Sequence, residues 1–198
     1  MKKQSKTEKN REALLNAAIE IIREEGADKL TVQNICERAG VSNGSFYYLF
    51  KSKDDLISYY LSYSFDNYIS VGQALIQDYT YKDQMISLYS LYAKCCVEVG
   101  SEFIGLFYNV NNRILDYKNR SKDQGVVLGS IEALLRKGID SGEFLSDIDV
   151  DEALLHIASI VTGILFYWCV FNGENVDPEK EIKILLDKYL TTLEVGSK

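Results

Sequence analysis

The side chains with the most concentrated chemistry in this 198-residue chain lie between Thr31 and Lys53, and they are suited to recognition rather than to reaction. The stretch offers the hydroxyls of Thr31, Ser42 and Ser45, the amide of Asn43, the bare backbone of Gly44, the phenols of Tyr47 and Tyr48 and the ammonium of Lys53. Hydroxyls and ammonium groups hold phosphate oxygens, while amides and phenols reach base edges in a DNA groove. Elsewhere no catalytic set is visible. The one histidine, His156, sits between Leu155 and Ile157 with no serine and carboxylate to complete a triad. There is no phosphate-binding glycine loop, and Cys36, Cys95, Cys96 and Cys169 form no C-x-x-C pair. No enzyme, cofactor or metal site is expected, and the cysteines read as buried thiols in a reducing cytoplasm.

The elements that must position these groups can be read locally. Thr31 is placed to cap a helix in which Val32, Ile35, Cys36 and Ala39 form one apolar stripe. Gly40 permits the left-handed backbone that stops this helix, and Ser42 is placed to cap the next, so the hinge is short, as in a helix-turn-helix. At about 100° per residue, Phe46, Leu49 and Phe50 share one side of the second helix and Gly44, Tyr47 and Tyr48 the other. Two adjacent outward tyrosines on so short a helix call for something to cover them. Tyr47 has a second reading as a half-buried packing residue. Ser52 should cap a third helix with Asp55 at its capping-box position, which sets Lys53 either against phosphate or simply in solvent. Upstream, Leu14, Ala17, Ala18, Ile21 and Ile22 make the apolar stripe of a helix ending at Gly26, which completes a three-helix mini-core.

The run from Leu14 to Ile57, LLNAAIEIIREEGADKLTVQNICERAGVSNGSFYYLFKSKDDLI, closely resembles the N-terminal domain of TetR-type transcriptional repressors. Ala39-Gly40-Val41-Ser42, Gly44-Ser45, Tyr47-Tyr48, Phe50, Lys51, Lys53 and Leu56 carry the resemblance. It implies that Asn43, Gly44, Tyr47 and Tyr48 reach the major groove and its flanking phosphates. It also implies that Thr31, Ser42 and Lys53 hold the sugar-phosphate backbone. Ser45 belongs to the same polar helix start. Leu49 departs from the family's polar or aromatic residue at its position, so that contact is not carried over.

Charge supports a DNA partner despite a net −7. Residues 1–53 hold ten Lys/Arg against seven Asp/Glu, and the remainder twelve against twenty-two, a basic end on an acidic body. The lysine-rich start, with Lys2, Lys3, Lys6 and Lys9, serves either along phosphates or as a solvated arm; no apolar signal core follows it, so export is not expected. The boundary is placed between a DNA-binding domain, 1–52, and a helical ligand-binding and dimerisation domain, 53–198.

The body reads as helices throughout. An unbroken helix is expected from Lys53 toward Gly72, a lever between head and body. Met85, Leu88, Tyr92, Cys95 and Val99 recur at helical spacing up to Gly100; further helices are expected over Phe103–Asn112 and Gln124–Asp140, the latter with Arg136 and Lys137 in its last turn. Residues 153–171 hold fifteen apolar residues in nineteen. Their flanks are acidic and lack Lys/Arg anchors, so a helix buried on all sides is expected rather than a membrane span. The last helix opens at Pro178 behind Asp177. The resemblance implies that these last two helices pair with their copies as a four-helix homodimer bundle.

Tyrosines in a helical interior supply apolar walls with hydroxyls, a common lining for small-molecule sites. Tyr63, Tyr89, Tyr92, Phe107, His156 and Tyr167 are the candidate effector-binding residues, for an aromatic or extended apolar molecule. The expectation is an all-α, cytoplasmic, homodimeric repressor that binds a palindromic operator and is released by that effector. A helical enzyme or small-molecule carrier that retained the fold is the alternative.

Overall fold

In the computed structural model, residues 5–60, 76–108 and 126–196 are described, and they are helical throughout apart from turns and one isolated β-bridge between Phe144 and Glu194. The order is α1 (Lys6–Glu25), a 3-10 turn (Ala27–Lys29), α2 (Val32–Ala39), α3 (Asn43–Leu49), α4 (helical over 53–60), α5 (Tyr81–Val99), α6 (Ser101–Phe107), α7 (Val126–Ser141), α8 (Val150–Val170) and α9 (Pro178–Thr191).

The head forms because each helix end is specified by its neighbours in sequence. Thr31 Oγ1 accepts from the Asn34 N–H (3.1 Å) and Ser42 Oγ from the Ser45 N–H (3.2 Å), while Gly40 takes the left-handed conformation at φ 64° that closes α2. Ser52 Oγ accepts from the Asp55 N–H, and the Asp55 carboxylate reaches back to the Lys51 N–H at 2.8 Å. Leu14, Ala18, Ile21, Ile35, Phe46 and Leu56 are then buried between α1, α2, α3 and α4. So small a core gains from support outside itself, and it receives it at the far end of α1, which lies against α6.

The body is built on α5, which packs against α9 and α7, with α8 covering α6, α7 and α9. Its base is tied by polar groups at the start of α5. Glu143 accepts from the Tyr81 and Lys82 N–H groups (2.9 and 2.8 Å), and the Lys82 ammonium reaches Glu194 (3.0 Å), Asp187 (3.3 Å) and Thr191 Oγ1 (3.2 Å). The turn after α7 and the end of the chain around α9 therefore meet at the start of α5.

Several expectations change here. Of the helix expected over Phe103–Asn112, the described part closes at Phe107 with Tyr108 outside it, and residues 109–112 lie outside the described residues. Described residues of α7 run to Ser141, which leaves Arg136 and Lys137 more than a turn from the end; Arg136 pairs with Glu132 at 2.9 Å instead of meeting the terminal carbonyls. Helix α8 is long and apolar enough to cross a bilayer, yet it is not buried on all sides. Ala153, Leu154, Ile157, Val161, Leu165 and Trp168 face inward, while Leu155, Phe166, Tyr167 and Val170 are exposed. The single chain supplies neighbours for only one of its faces. The lever expected toward Gly72 is helical as far as residue 60, and its remainder lies outside the described residues, with Tyr63 and Tyr68.

Candidate nucleic-acid interface and effector region

Helix α3 presents an open polar face. Phe46 and Phe50 anchor it in the core, so Asn43, Gly44, Tyr47 and Tyr48 point outward, with Tyr48 82% and Tyr47 60% exposed. The Tyr47 ring rests edge-on against Phe46, centroids 5.4 Å apart, which fixes its base while leaving its hydroxyl free to reach outward. Nothing inside the protein demands glycine at 44: an added Cβ would come no nearer than 4.0 Å, to Ser42 Oγ. Its use is external, letting another backbone approach closely.

Thr31 and Ser42 each accept a capping bond, which leaves the hydroxyl proton of Thr31 available to a phosphate; the Ser42 and Ser45 hydroxyls bond each other at 3.0 Å, with either as donor. Lys53 is neither a fully solvated charge nor simply aimed at solvent. Its ammonium donates to the Leu30 carbonyl at 3.3 Å, across the α4 start and the approach to Thr31, and an ammonium has two further N–H groups to offer. Arg38 is held by Glu24 and Glu25 and so is not a free cation on this face.

The six candidate effector residues divide. Tyr89 and Phe107 are buried and Tyr92 is half-buried: Tyr89 and Tyr92 pack edge to face at 6.2 Å, and Phe107 meets Tyr108 at 5.7 Å. Tyr108 completes the group by a hydroxyl bond to Tyr92, near Cys96 and Cys169. His156 and Tyr167 stand elsewhere, on the outer face of α8. Eleven residues is three turns of helix, so the two share one stripe, opposite the buried one. His156 Nδ1 lies 3.1 Å from the Tyr189 hydroxyl of α9, and Tyr167 stacks on Phe171. Tyr63 lies outside the described residues. Tyr108 was hard to select from sequence because its partner Tyr92 is on another helix.

Burial pushes the Tyr89, Tyr92 and Tyr108 hydroxyls above their usual range; Tyr108 and Cys96 raise Tyr92 further, and Cys96 raises Tyr108, whose bond to Tyr92 acts in the opposite direction. Burial likewise lifts Cys95 to about 12 and Cys169 to about 11, so these thiols stay neutral and unreactive at neutral pH. A raised folded pKa means that the native state keeps protons the unfolded chain has lost. The stabilisation is complete below the unfolded tyrosine value of 10.0 and is lost as pH rises beyond it. Thermal melts are therefore expected to hold level toward pH 9 and to fall steeply from about pH 10. Tyr89→Phe should flatten that fall, and an unchanged alkaline limb in the variant would contradict the assignment.

Comparison with known proteins agrees with this geometry. Residues 14–60 match the sequence model of the bacterial regulatory proteins of the tetR family. The chain is 24% identical over 168 residues to the fatty acid metabolism regulator protein of Bacillus subtilis, covering 83% of this chain and 85% of that one. Its fold is similar to that of the fatty acid degradation regulator FadR from Bacillus halodurans, with TM-score 0.70, 18% identity, and 96% and 97% of the two chains covered. It is also similar to Bacillus subtilis FadR solved in complex with stearoyl-CoA, with TM-score 0.68, 21% identity, and 92% and 99% covered. The chain thus carries at residues 14–60 a head that matches the DNA-binding part of the tetR family of bacterial regulatory proteins, and along nearly its whole length it has the fold of the FadR regulators.

Proposed function

We propose that this regulator is a cytoplasmic homodimeric repressor that grips a near-palindromic operator through α3 and is released by a long-chain acyl thioester such as an acyl-CoA. The observation that carries the DNA half is the outward face of α3, with Tyr47 and Tyr48 exposed beside an uncrowded Gly44. In this reading Asn43, Tyr47 and Tyr48 meet base edges and flanking phosphates, Thr31, Ser42 and Ser45 hold the backbone, and Lys53 bonds a phosphate while retaining Leu30. Residues 1–52 form the DNA-binding unit and 53–198 the effector and dimer unit. The exposed stripe of α8, with Ile184 and Leu185 of α9, is the dimer face.

The effector half is supported by two things. The interior around Tyr89, Tyr92, Phe107 and Tyr108 is apolar with a few hydroxyls, suited to an extended hydrocarbon more than to a flat polar drug. The Bacillus subtilis relative that aligns along most of the chain is named for fatty acid metabolism, and Bacillus subtilis FadR was solved with stearoyl-CoA.

The test is operator binding by fluorescence anisotropy with DNA from upstream of the protein's own gene, with and without saturating stearoyl-CoA. A coupling of about 1–3 kcal/mol should weaken the operator complex by roughly five- to 150-fold. Reciprocity requires saturating operator to weaken stearoyl-CoA by the same factor. Coenzyme A without the acyl chain should do neither, and equal operator affinity with and without stearoyl-CoA would remove acyl thioesters as effectors.

A further inference from the structure

Helix α6 is two turns long, about 10 Å, and it touches four other parts of the molecule in different directions. Toward the head, the Glu102 carboxylate in its first turn accepts a hydrogen bond from the Ala27 N–H at 3.1 Å, closing the 3-10 turn that follows α1. One residue on, the Phe103 ring meets Tyr60 of α4 edge-on at 5.3 Å. On another side Gly105 lies so close to α8 that an added Cβ would stand 3.7 Å from Cys169 Cβ. Just past its end, Tyr108 bonds Tyr92 of α5 within the buried aromatic group. A second bond crosses the same seam as Glu102: Arg23 donates to the Glu98 carbonyl at 3.1 Å, from the last turn of α1 to the last turn of α5.

Both bonds join residues 75 apart in sequence and lie at the surface, so neither is a large source of stability. Their consequence is geometrical. Gly26, at φ 88°, leaves α1 abruptly, and the Ala27 N–H that Glu102 takes up is one of the amides exposed at the start of the 3-10 turn. The turn leads within a few residues to Leu30, which holds Lys53, and to Thr31, which caps α2. A shift of Glu102 is therefore a shift of the recognition unit's own support. Glu102 stands in the first turn of α6 and Tyr108 just past its last, so the helix spans the distance between the seam and the aromatic group.

We propose that Glu102 is a positioning residue for DNA binding: through its bond to the Ala27 N–H it sets the attitude of the head on the body, and α6 carries occupancy of the Tyr92–Tyr108 region to the head by this seam, in parallel with α4. The role of the aromatic region rests on the function proposed above, but the seam itself does not. What Glu102 supplies is an acceptor oxygen. Glu102→Gln keeps an acceptor at the same reach and should keep the coupling, whereas Glu102→Ala removes it. The residue is exposed and alanine is a good helix former, so both variants should fold.

The experiment measures operator affinity of the wild-type chain, Glu102→Gln and Glu102→Ala with and without saturating stearoyl-CoA, and separately the affinity of each for stearoyl-CoA without DNA. Glu102→Ala is expected to bind stearoyl-CoA as the wild type does, yet to keep only about a third or less of the wild-type ratio of operator affinities, with Glu102→Gln within about twofold of wild type. A full wild-type ratio in Glu102→Ala, or an equal loss in both variants, overturns the proposal. If the wild type itself does not respond to stearoyl-CoA, the effector reading fails and the seam is judged by hydrogen exchange. In that case the peptide spanning residues 23–32 must exchange faster in Glu102→Ala than in wild type or Glu102→Gln. Operator must also protect the α6 peptide in the latter two and not in Glu102→Ala; identical exchange in all three overturns the seam.

Discussion

Tyr47→Ala is expected to lower affinity for the operator by about 1–3 kcal/mol per half-site, roughly five- to 150-fold, while leaving binding to random DNA nearly unchanged. The size follows from geometry. Tyr47 is 60% exposed on α3, and its ring is steadied by Phe46 rather than by any mobile loop, so little ordering remains to be done when it meets DNA. Because it fills no core space, its removal should shift stability by no more than about 0.5 kcal/mol. Lys53→Ala makes the contrast. It should weaken both DNAs alike, reduce the salt slope by about one, and also lower the head's stability by about 1 kcal/mol through the lost bond to Leu30. Anisotropy titrations on operator and scrambled duplexes at several salt concentrations read all of these. Equal losses on both DNAs for Tyr47→Ala would remove it from base recognition.

Gly163→Glu is expected to turn the proposed dimer into monomers. Gly163 lies on the open stripe of α8 with Ser159, Phe166, Tyr167 and Val170, and a Cβ built on it meets nothing within 4 Å in the single chain. The isolated subunit therefore accommodates the glutamate. Its helix should even gain, since glycine in a helix interior costs about 1 kcal/mol. At a helix-to-helix contact the same carboxylate would be buried without a partner, at a cost of several kcal/mol. Sedimentation should find a folded monomer of unchanged helicity, with operator affinity lost because one head reaches only one half-site. A native dimer in this variant would place the contact elsewhere.

How far the sequence reaches depends on the range of the interaction that decides each feature. The head is decided within a few residues. Thr31, Ser42 and Ser52 cap because the N–H groups they accept from lie three residues on; Gly40 stops α2 because its own backbone can turn left-handed; Phe46 faces inward because the helical period puts it opposite Tyr48. All of that follows from adjacent residues, and the outward face of α3 follows with it. The cap of Asp149 on α8 and of Asp177 on α9 is local in the same way.

What depends on distant chain segments was not available from sequence alone. Helix α8 is apolar nearly all round, so its periodicity gives no reason to prefer one face, and only the placement of α6, α7 and α9 buries Leu154 and Trp168 while leaving Phe166 and Tyr167 open. That same choice separates His156 and Tyr167 from Tyr89, Tyr92 and Phe107, since two residues on one stripe of a helix go wherever that stripe goes. Lys53 reads from the sequence as a phosphate contact or else a solvated charge, and only the tertiary fold brings the Leu30 carbonyl, 23 residues earlier, beside it. Glu102 and Ala27 are ordinary residues in their own neighbourhoods. Capping, turn and helical period are set by bonds spanning three or four residues and can be read one residue after another, but a hydrogen bond across 75 residues exists only once the packing of apolar faces has closed the chain around it.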